Sequence, residues 1–430
     1  MQLYKVAGLA VAAGVATLLA LKKRRKSSAS PKEVAAAACV ALLTVPLLRR
    51  LSPPTLREVV GREWYEQLQI IKQVVDALEE KVFLGKSPLT ETSHPLFANL
   101  SLLALVEDAA RPPPRRAAGA EEAKEGLEMM KYASAAYGGA FLLALGLLTP
   151  RAAKDADDFS CAFAERDVRV ALAAHCGARD VPYLHPGAPG VPSHYVCRRP
   201  DGAVVLGIRG TSTLSDALTD LVASDCAAGD GRAHAGIFRA AEAIADGCAA
   251  AVGAPRRLVV VGHSLGGGAA VLTSLRLAER LPGTRVACYA FAPPPTITAR
   301  ETPANLAVKT YAHADDCVPQ LSLRSVALVL LRLLAIDRLD LGVAARVKLL
   351  AAGDAAAARA TSARALRHFA PTSSFPLLDH VGDEFFHLEG GAIVARDAAE
   401  LRRVRFHRRM LVDHFPNAYE AALAAAAGAA

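Results

Sequence analysis

"VVVGHSLGGGAA" occupies residues 259–270. With Leu258 it makes an apolar run, Leu258 to Val261, that meets Gly262-His263-Ser264-Leu265-Gly266 head on. A short apolar run closed by glycine reads as a buried strand, and the following "AAVLTSLRLAERL" carries the spacing of a helix. Ser264 therefore stands on the turn between them. Such a turn is either a glycine bend without chemistry or an elbow that holds a nucleophile out from the chain. The G-x-S-x-G pattern between strand and helix is the context of a nucleophile elbow. The glycines have a physical reason: side chains at Gly262 and Gly266 would collide with the strand and helix that the strained serine joins.

The neighbouring sequence extends this unit. "SHYVCRRPDGAVVLGIRGT" (193–211) is two β-rich runs joined by a Pro-Asp-Gly turn, and "TRVACYAFAPP" and "LAVKTYAHADD" are two more strands. Strands alternating with helices predict an α/β fold, a mostly parallel sheet covered by helices on both faces.

A serine elbow in such a fold demands an acid and then a histidine, both later in the chain. Five of the twelve histidines lie beyond residue 316: His368, His380, His387, His407 and His414. His414 stands just ahead of Pro416 and a predicted last helix, where the base belongs. His387 is inside the strand-like "FFHLEGG", and His407 sits in the basic "RFHRR". Asp315 and Asp316 both follow a strand directly and are both candidates for the acid. An oxyanion needs two donors. Leu265, the residue after the nucleophile, offers its backbone N–H, and Gly210-Thr211 at the end of "LGIRGTS" offers an N–H and a hydroxyl.

The 430 residues carry a formal charge of +8. Residues 1–60 hold ten Lys/Arg against Glu33 and Glu58, so the remainder is formally neutral and gives no footprint for nucleic acid. The charge belongs to a leader. Val6–Leu21 is apolar or small throughout and ends at Lys22-Lys23-Arg24-Arg25-Lys26. Counted from Leu3, a helix here is about 28 Å long, close to the ~30 Å of a bilayer core. The expectation is a membrane anchor or targeting region over 1–55, with an organellar transit peptide as the alternative, since no acidic residue precedes Glu33. A helical region is expected over 56–150, then the α/β domain over 151–430 with an insertion at about 323–383. The eight cysteines are scattered without C-x-x-C, which suggests neither a disulfide framework nor structural zinc. No metal and no cofactor are expected.

Taken in order, "MKYASAAYG", "VVLGIRGTSTLSDALTDL", "HAGIFRAA", "VVVGHSLGGGAAVLTSLRL", "YAFAPPP", "ADDCVPQLSL" and "DHFPNAYEAAL" resemble the class 3 (fungal-type) lipase family. The resemblance is strongest to its sn-1-specific diacylglycerol lipase branch. It implies the α/β hydrolase fold, Ser264 as nucleophile, Asp316 rather than Asp315 as acid, His414 as base and Thr211 as oxyanion side chain. It also implies hydrolysis of a glycerolipid ester at a membrane surface. A phospholipase A1 or galactolipase on the same triad, or an inactive lipid-binding scaffold, are the alternatives. Two departures stand out: little room for a long lid helix between Asp220 and His234, and 97 residues between Asp316 and His414.

Overall fold

The computed structural model describes residues 99, 102–103, 114–156, 163–211, 225–298, 300–342, 345–346, 348–349, 356–357, 360–361, 375–382, 384–405, 409–410 and 412–428. The expected anchor over 1–55, residues 56–98 of the expected helical region, His368 and His407 lie outside these residues. The chain divides into two compact units, one of 112–325 with 374–430, the other of 1–111 with 326–373.

In chain order the first unit contains β1 (Arg116–Ala117), α1 (Ala120–Ala135), α2 (Gly139–Ala144), α3 (Pro150–Asp155), α4 (Phe163–Cys176), β2 (Tyr183–His185), β3 (His194–Arg198) and β4 (Val204–Ile208). There follow β5 (Asp225–Ala228), β6 (Gly231–His234), α5 (Ala235–Gly247), β7 (Arg257–His263), α6 (Leu265–Arg280), β8 (Arg285–Phe291) and β9 (Leu306–His313). The helix α7 (Leu323–Asp337) begins the insertion, and β10 (Glu384–Glu389), β11 (Ala392–Ala395) and α8 (Pro416–Ala426) complete the described elements named here.

Nine strands form one sheet in the order β1-β11-β10-β9-β8-β7-β4-β3-β2. The middle pairings β4–β7, β7–β8, β8–β9 and β9–β10 are parallel, and the four outer pairings are antiparallel. The sheet is thus mixed, not mostly parallel as the sequence suggested. The reason is local: the Pro200-Asp201-Gly202 turn and the Gly390-Gly391 pair, both glycines at positive φ, make tight hairpins, which only antiparallel strands accept.

The pleat of β7 shows the two-layer core. Val259 and Val261 join one apolar cluster with Met129, Met130, Tyr132, Tyr419 and Leu423, so α1 and α8 cover that face. Leu258 and Val260 join the other, with Ile237, Ile244, Ala270 and Leu275, which brings α5 and α6 to the opposite face. All four β7 residues are fully buried, each contributing about 1.5–3 kcal/mol. The unit extends back to Pro112, and α1, from the stretch expected to be helical, covers the sheet. Its close approach needs Gly126, where a Cβ would lie 3.0 Å from Leu423 and 3.1 Å from Tyr311. A buried network fastens α8 in register: Ser134 Oγ donates to Glu420 Oε1 at 2.5 Å, and His175 Nε2 lies 3.0 Å from both Glu420 oxygens.

The helix α2 stops at Ala144, and Leu143 is among the exposed large apolar residues. Residues 225–234 are consumed by the β5–β6 hairpin. In the second unit, Arg346 caps the end of α7 by donating to the carbonyls of Ile336, Asp337, Leu339 and Leu341, and to Asn99 Oδ1 at 3.1 Å. Asn99 in turn donates to Asp337 Oδ1 at 2.8 Å, so the insertion and the chain before residue 112 share one polar core. Among the described residues no helix is long and apolar enough to cross a membrane.

Candidate active site

The site lies at the carboxyl ends of the parallel strands, where open α/β sheets place their ligands. At the end of β7 the chain reverses into α6 at Ser264, whose φ of 61° and ψ of −132° make it one of three non-glycine residues at positive φ among the described residues. Neighbours over-determine this strained conformation. The Ser264 N–H donates to Phe291 O at 2.9 Å, tying the elbow to β8. A Cβ on Gly262 would sit 2.1 Å from Gly266 O, and one on Gly266 would sit 2.4 Å from Ile208 O. Both contacts are to backbone, which cannot step aside. The two glycines let helix, elbow and the end of β4 meet.

Ser264, Asp316 and His414 come together from three loops. Ser264 Oγ–H points at His414 Nε2 at 3.0 Å, and His414 Nδ1–H donates to Asp316 Oδ2 and Oδ1 at 3.0 and 3.1 Å. All three are buried, Asp316 to 2% exposure. The carboxylate that meets the histidine is Asp316. The neighbouring Asp315 instead offers its backbone N–H to Asp413 Oδ2 at 3.2 Å. His387 lies in β10 and His380 donates from Nε2 to Pro319 O at 2.8 Å, so neither reaches the serine. Thr211 follows β4, and its Oγ1 is buried without a hydrogen-bond partner among the described residues. Leu265 opens α6, where the first N–H groups have no acceptor inside the helix.

Several functional neighbours escaped the sequence reading. Asp316 accepts from Tyr419 O–H at 2.7 Å and from Val318 N–H at 2.9 Å, besides His414. Tyr419 also accepts the His313 N–H at 3.0 Å. Burial first, and then the Asp316 charge, drives its phenol well above the usual range, so it stays a donor. The second network supports the histidine loop. His263 Nε2–H donates to the His414 carbonyl at 2.8 Å, and Tyr137 O–H donates to His263 Nδ1 at 3.0 Å. Burial, and then the nearby His414, holds His263 well below the ordinary imidazole range. It is therefore neutral, in the tautomer these two bonds require. Asp413, fully buried, links the loops: its carbonyl accepts from His313 Nδ1–H at 3.0 Å, while Arg409 Nε donates to its Oδ1 at 2.9 Å. The available signal was spacing alone: Tyr419 lies five residues after His414, Tyr137 is the penultimate residue of "MKYASAAYG", and His263 is the variable position beside the serine.

A mixed sheet with helices on both faces and a strained serine between its central strand and a helix is the architecture of an α/β hydrolase. Residues 205–326, the segment that carries Ser264, match the family described as Lipase (class 3). The mouse protein diacylglycerol lipase-beta is 40% identical over 106 residues, a match spanning 21% of this chain and 16% of that relative's length. Among solved structures, the Rhizomucor miehei triacylglyceride lipase is similar at 17% identity with a TM-score of 0.35, over 48% of this chain and 76% of its own. A triacylglycerol lipase from Penicillium expansum is similar at 19% identity and a TM-score of 0.30, over 34% of this chain and 67% of its own.

Proposed function

We propose that this chain is a serine-dependent lipase that hydrolyses an acyl ester of a glycerolipid, the sn-1 ester of diacylglycerol foremost. The observation that carries the reading is the continuous chain from Ser264 Oγ through His414 to Asp316, each contact 3.0–3.1 Å. In this reaction His414 takes the Ser264 proton as Oγ attacks the acyl carbonyl carbon. Asp316 holds the imidazole in the required tautomer and favours its charged form. The developing oxyanion is met by the Leu265 N–H and by the Thr211 hydroxyl, a donor that no other described group engages. A donor of this kind is worth roughly 10²–10³ in kcat. His414 then returns the proton to the glycerol oxygen, the C–O bond breaks, and the acyl group stays on Ser264. Water, activated by the same histidine, releases the fatty acid and restores the serine. The neutral His263, its ring centroid 4.8 Å from that of His414, avoids like-charge repulsion when His414 becomes protonated.

An apolar acyl substrate is supported by what surrounds the base. Val412 is 53% exposed and Phe415 39% exposed, so two apolar side chains stand in solvent on either side of Asp413-His414. The preference for diacylglycerol is supported by the relative named diacylglycerol lipase-beta.

The test is fatty-acid release from sn-1-labelled diacylglycerol in mixed micelles, with phosphatidylcholine and galactolipid in parallel and Ser264→Ala as control. Preferential release from diacylglycerol that vanishes in the mutant is expected. Release from a polar lipid alone would move the substrate to a phospholipase A1 or galactolipase. Equal inertness of both folded proteins on all three lipids would leave only a lipid-binding scaffold.

A further inference from the structure

A second buried histidine stands behind the acid. His387 in β10 is 5% exposed, and both of its ring nitrogens face acceptors. Nδ1 is 3.1 Å from Glu389 Oε2, and Nε2 is 2.9 Å from the carbonyl oxygen of Ala314. A neutral imidazole has one N–H and would aim a lone pair at one of these oxygens. Glu389 does not supply the missing proton. Its Oε1 takes the Arg396 guanidinium at 2.5 Å, and its carboxyl is pulled down to about 2, first by the hydrogen bond from His387. Arg396 also pairs with Glu400 at 3.2 Å.

The Ala314 carbonyl is a meaningful acceptor because of where it sits. Ala314 has a φ of 42°, a left-handed conformation that is costly for a residue with a Cβ. It is the corner of the turn from His313 to Asp316, closed by the Asp316 N–H to His313 O at 2.9 Å. Its N–H donates to Leu388 O at 2.9 Å, and its carbonyl takes His387 Nε2–H. β10 thus grips this strained residue from both sides, and the chain leaves it directly for Asp315 and Asp316.

We propose that His387, an imidazolium bridging Glu389 and the Ala314 carbonyl, is a positioning residue for Asp316 that fixes the corner from which the carboxylate meets His414. It touches neither substrate nor the reacting atoms. The inference rests on Asp316 being the acid of the proposed reaction, so the experiment carries controls for that reading.

The full chain is compared with His387→Leu, His387→Gln, Asp316→Ala and Ser264→Ala by steady-state release from sn-1-labelled diacylglycerol. Ring ¹⁵N spectra of histidine-labelled protein at pH 7.5 are recorded alongside, His387 being assigned by its loss in the Gln variant. His387→Leu should lower kcat about tenfold with KM within about twofold, the pattern of lost alignment rather than lost binding. His387→Gln, whose amide N–H can reach the Ala314 oxygen, should recover most of that loss. The wild-type spectrum should show His387 protonated on both nitrogens. A neutral ring at that pH, or wild-type kcat in His387→Leu while Ser264→Ala and Asp316→Ala are inert, would overturn the proposal alone. Full activity in Asp316→Ala or Ser264→Ala would bring down the underlying reading and this inference with it. Should the leucine variant not fold, the glutamine variant and the spectrum decide between the same outcomes.

Discussion

Replacing Tyr419 with phenylalanine removes one oxygen and keeps the ring, which packs edge-on against His263, His313 and Phe291. The lost oxygen served twice, donating to Asp316 Oδ2 at 2.7 Å and accepting the His313 N–H at 3.0 Å. A hydrogen bond to a charged group is worth about 1.5–3 kcal/mol, and a buried N–H left without an acceptor costs about 1–3 kcal/mol. A stability loss of about 2–4 kcal/mol follows once relaxation is allowed for. The carboxylate keeps Val318 N–H and His414 Nδ1–H as donors, so the triad stays assembled with a less stabilised acid. The expected fall in kcat/KM is about 3–10-fold, or ~0.7–1.4 kcal/mol. The assay is steady-state ester hydrolysis with folding checked by denaturant melts. A folded Tyr419→Phe protein with wild-type kcat/KM and wild-type stability would refute this account of Asp316.

Three further outcomes are expected. Thr211→Ala should lower kcat by about 10²–10³ with little change in KM, and Thr211→Ser should keep most activity; a melt unchanged from wild type is expected too, since no described group bonds to this hydroxyl. Gly266→Ala puts a Cβ 2.4 Å from Ile208 O and should abolish activity and lower stability by more than about 2 kcal/mol; a fully active variant would contradict the elbow packing. His263, held neutral by burial, has a folded pKa below its unfolded value of about 6.5. Its contribution to stability is therefore present above that pH and lost as pH falls, at up to about 1.4 kcal/mol per pH unit. Unfolding free energies of the wild type should fall more steeply from pH 7.5 to 5.5 than those of His263→Gln, and parallel curves would count against the neutral, buried assignment.

Local pattern carried the sequence reading as far as local pattern reaches. Gly262, Ser264 and Gly266 declare strand, turn and helix within five residues, and His414 ahead of Pro416 is equally local. Between Asp315 and Asp316 the residues themselves do not choose. The choice depends on the left-handed corner at Ala314 and on Asp413, about a hundred residues away, holding the Asp315 N–H. Tyr137, Tyr419 and His387 were illegible for the same reason, since each acts on a partner 73 to 126 residues distant. The α1 helix shows the limit in packing terms. Its periodicity announces a helix, but nothing in "AEEAKEGLEMMKYASA" says that Gly126 will accept Tyr311 from a sheet strand. Lys309 from that strand likewise reaches back to Glu122 and Glu125 at 2.8 Å. The mixed sheet was within reach: the Pro-Asp-Gly and Gly-Gly turns were visible, and hairpins at both flanks follow from them.

The central claim is that Ser264 is a nucleophile driven by His414 and Asp316, and it is tested most directly by covalent capture. The full chain is treated with a fluorophosphonate probe, its intact mass is measured, and the modified peptide is sequenced. The account predicts one adduct on Ser264, formed far more slowly in His414→Ala and absent in Ser264→Ala. A folded wild-type protein that takes up no probe, or takes it up at another residue, would contradict it.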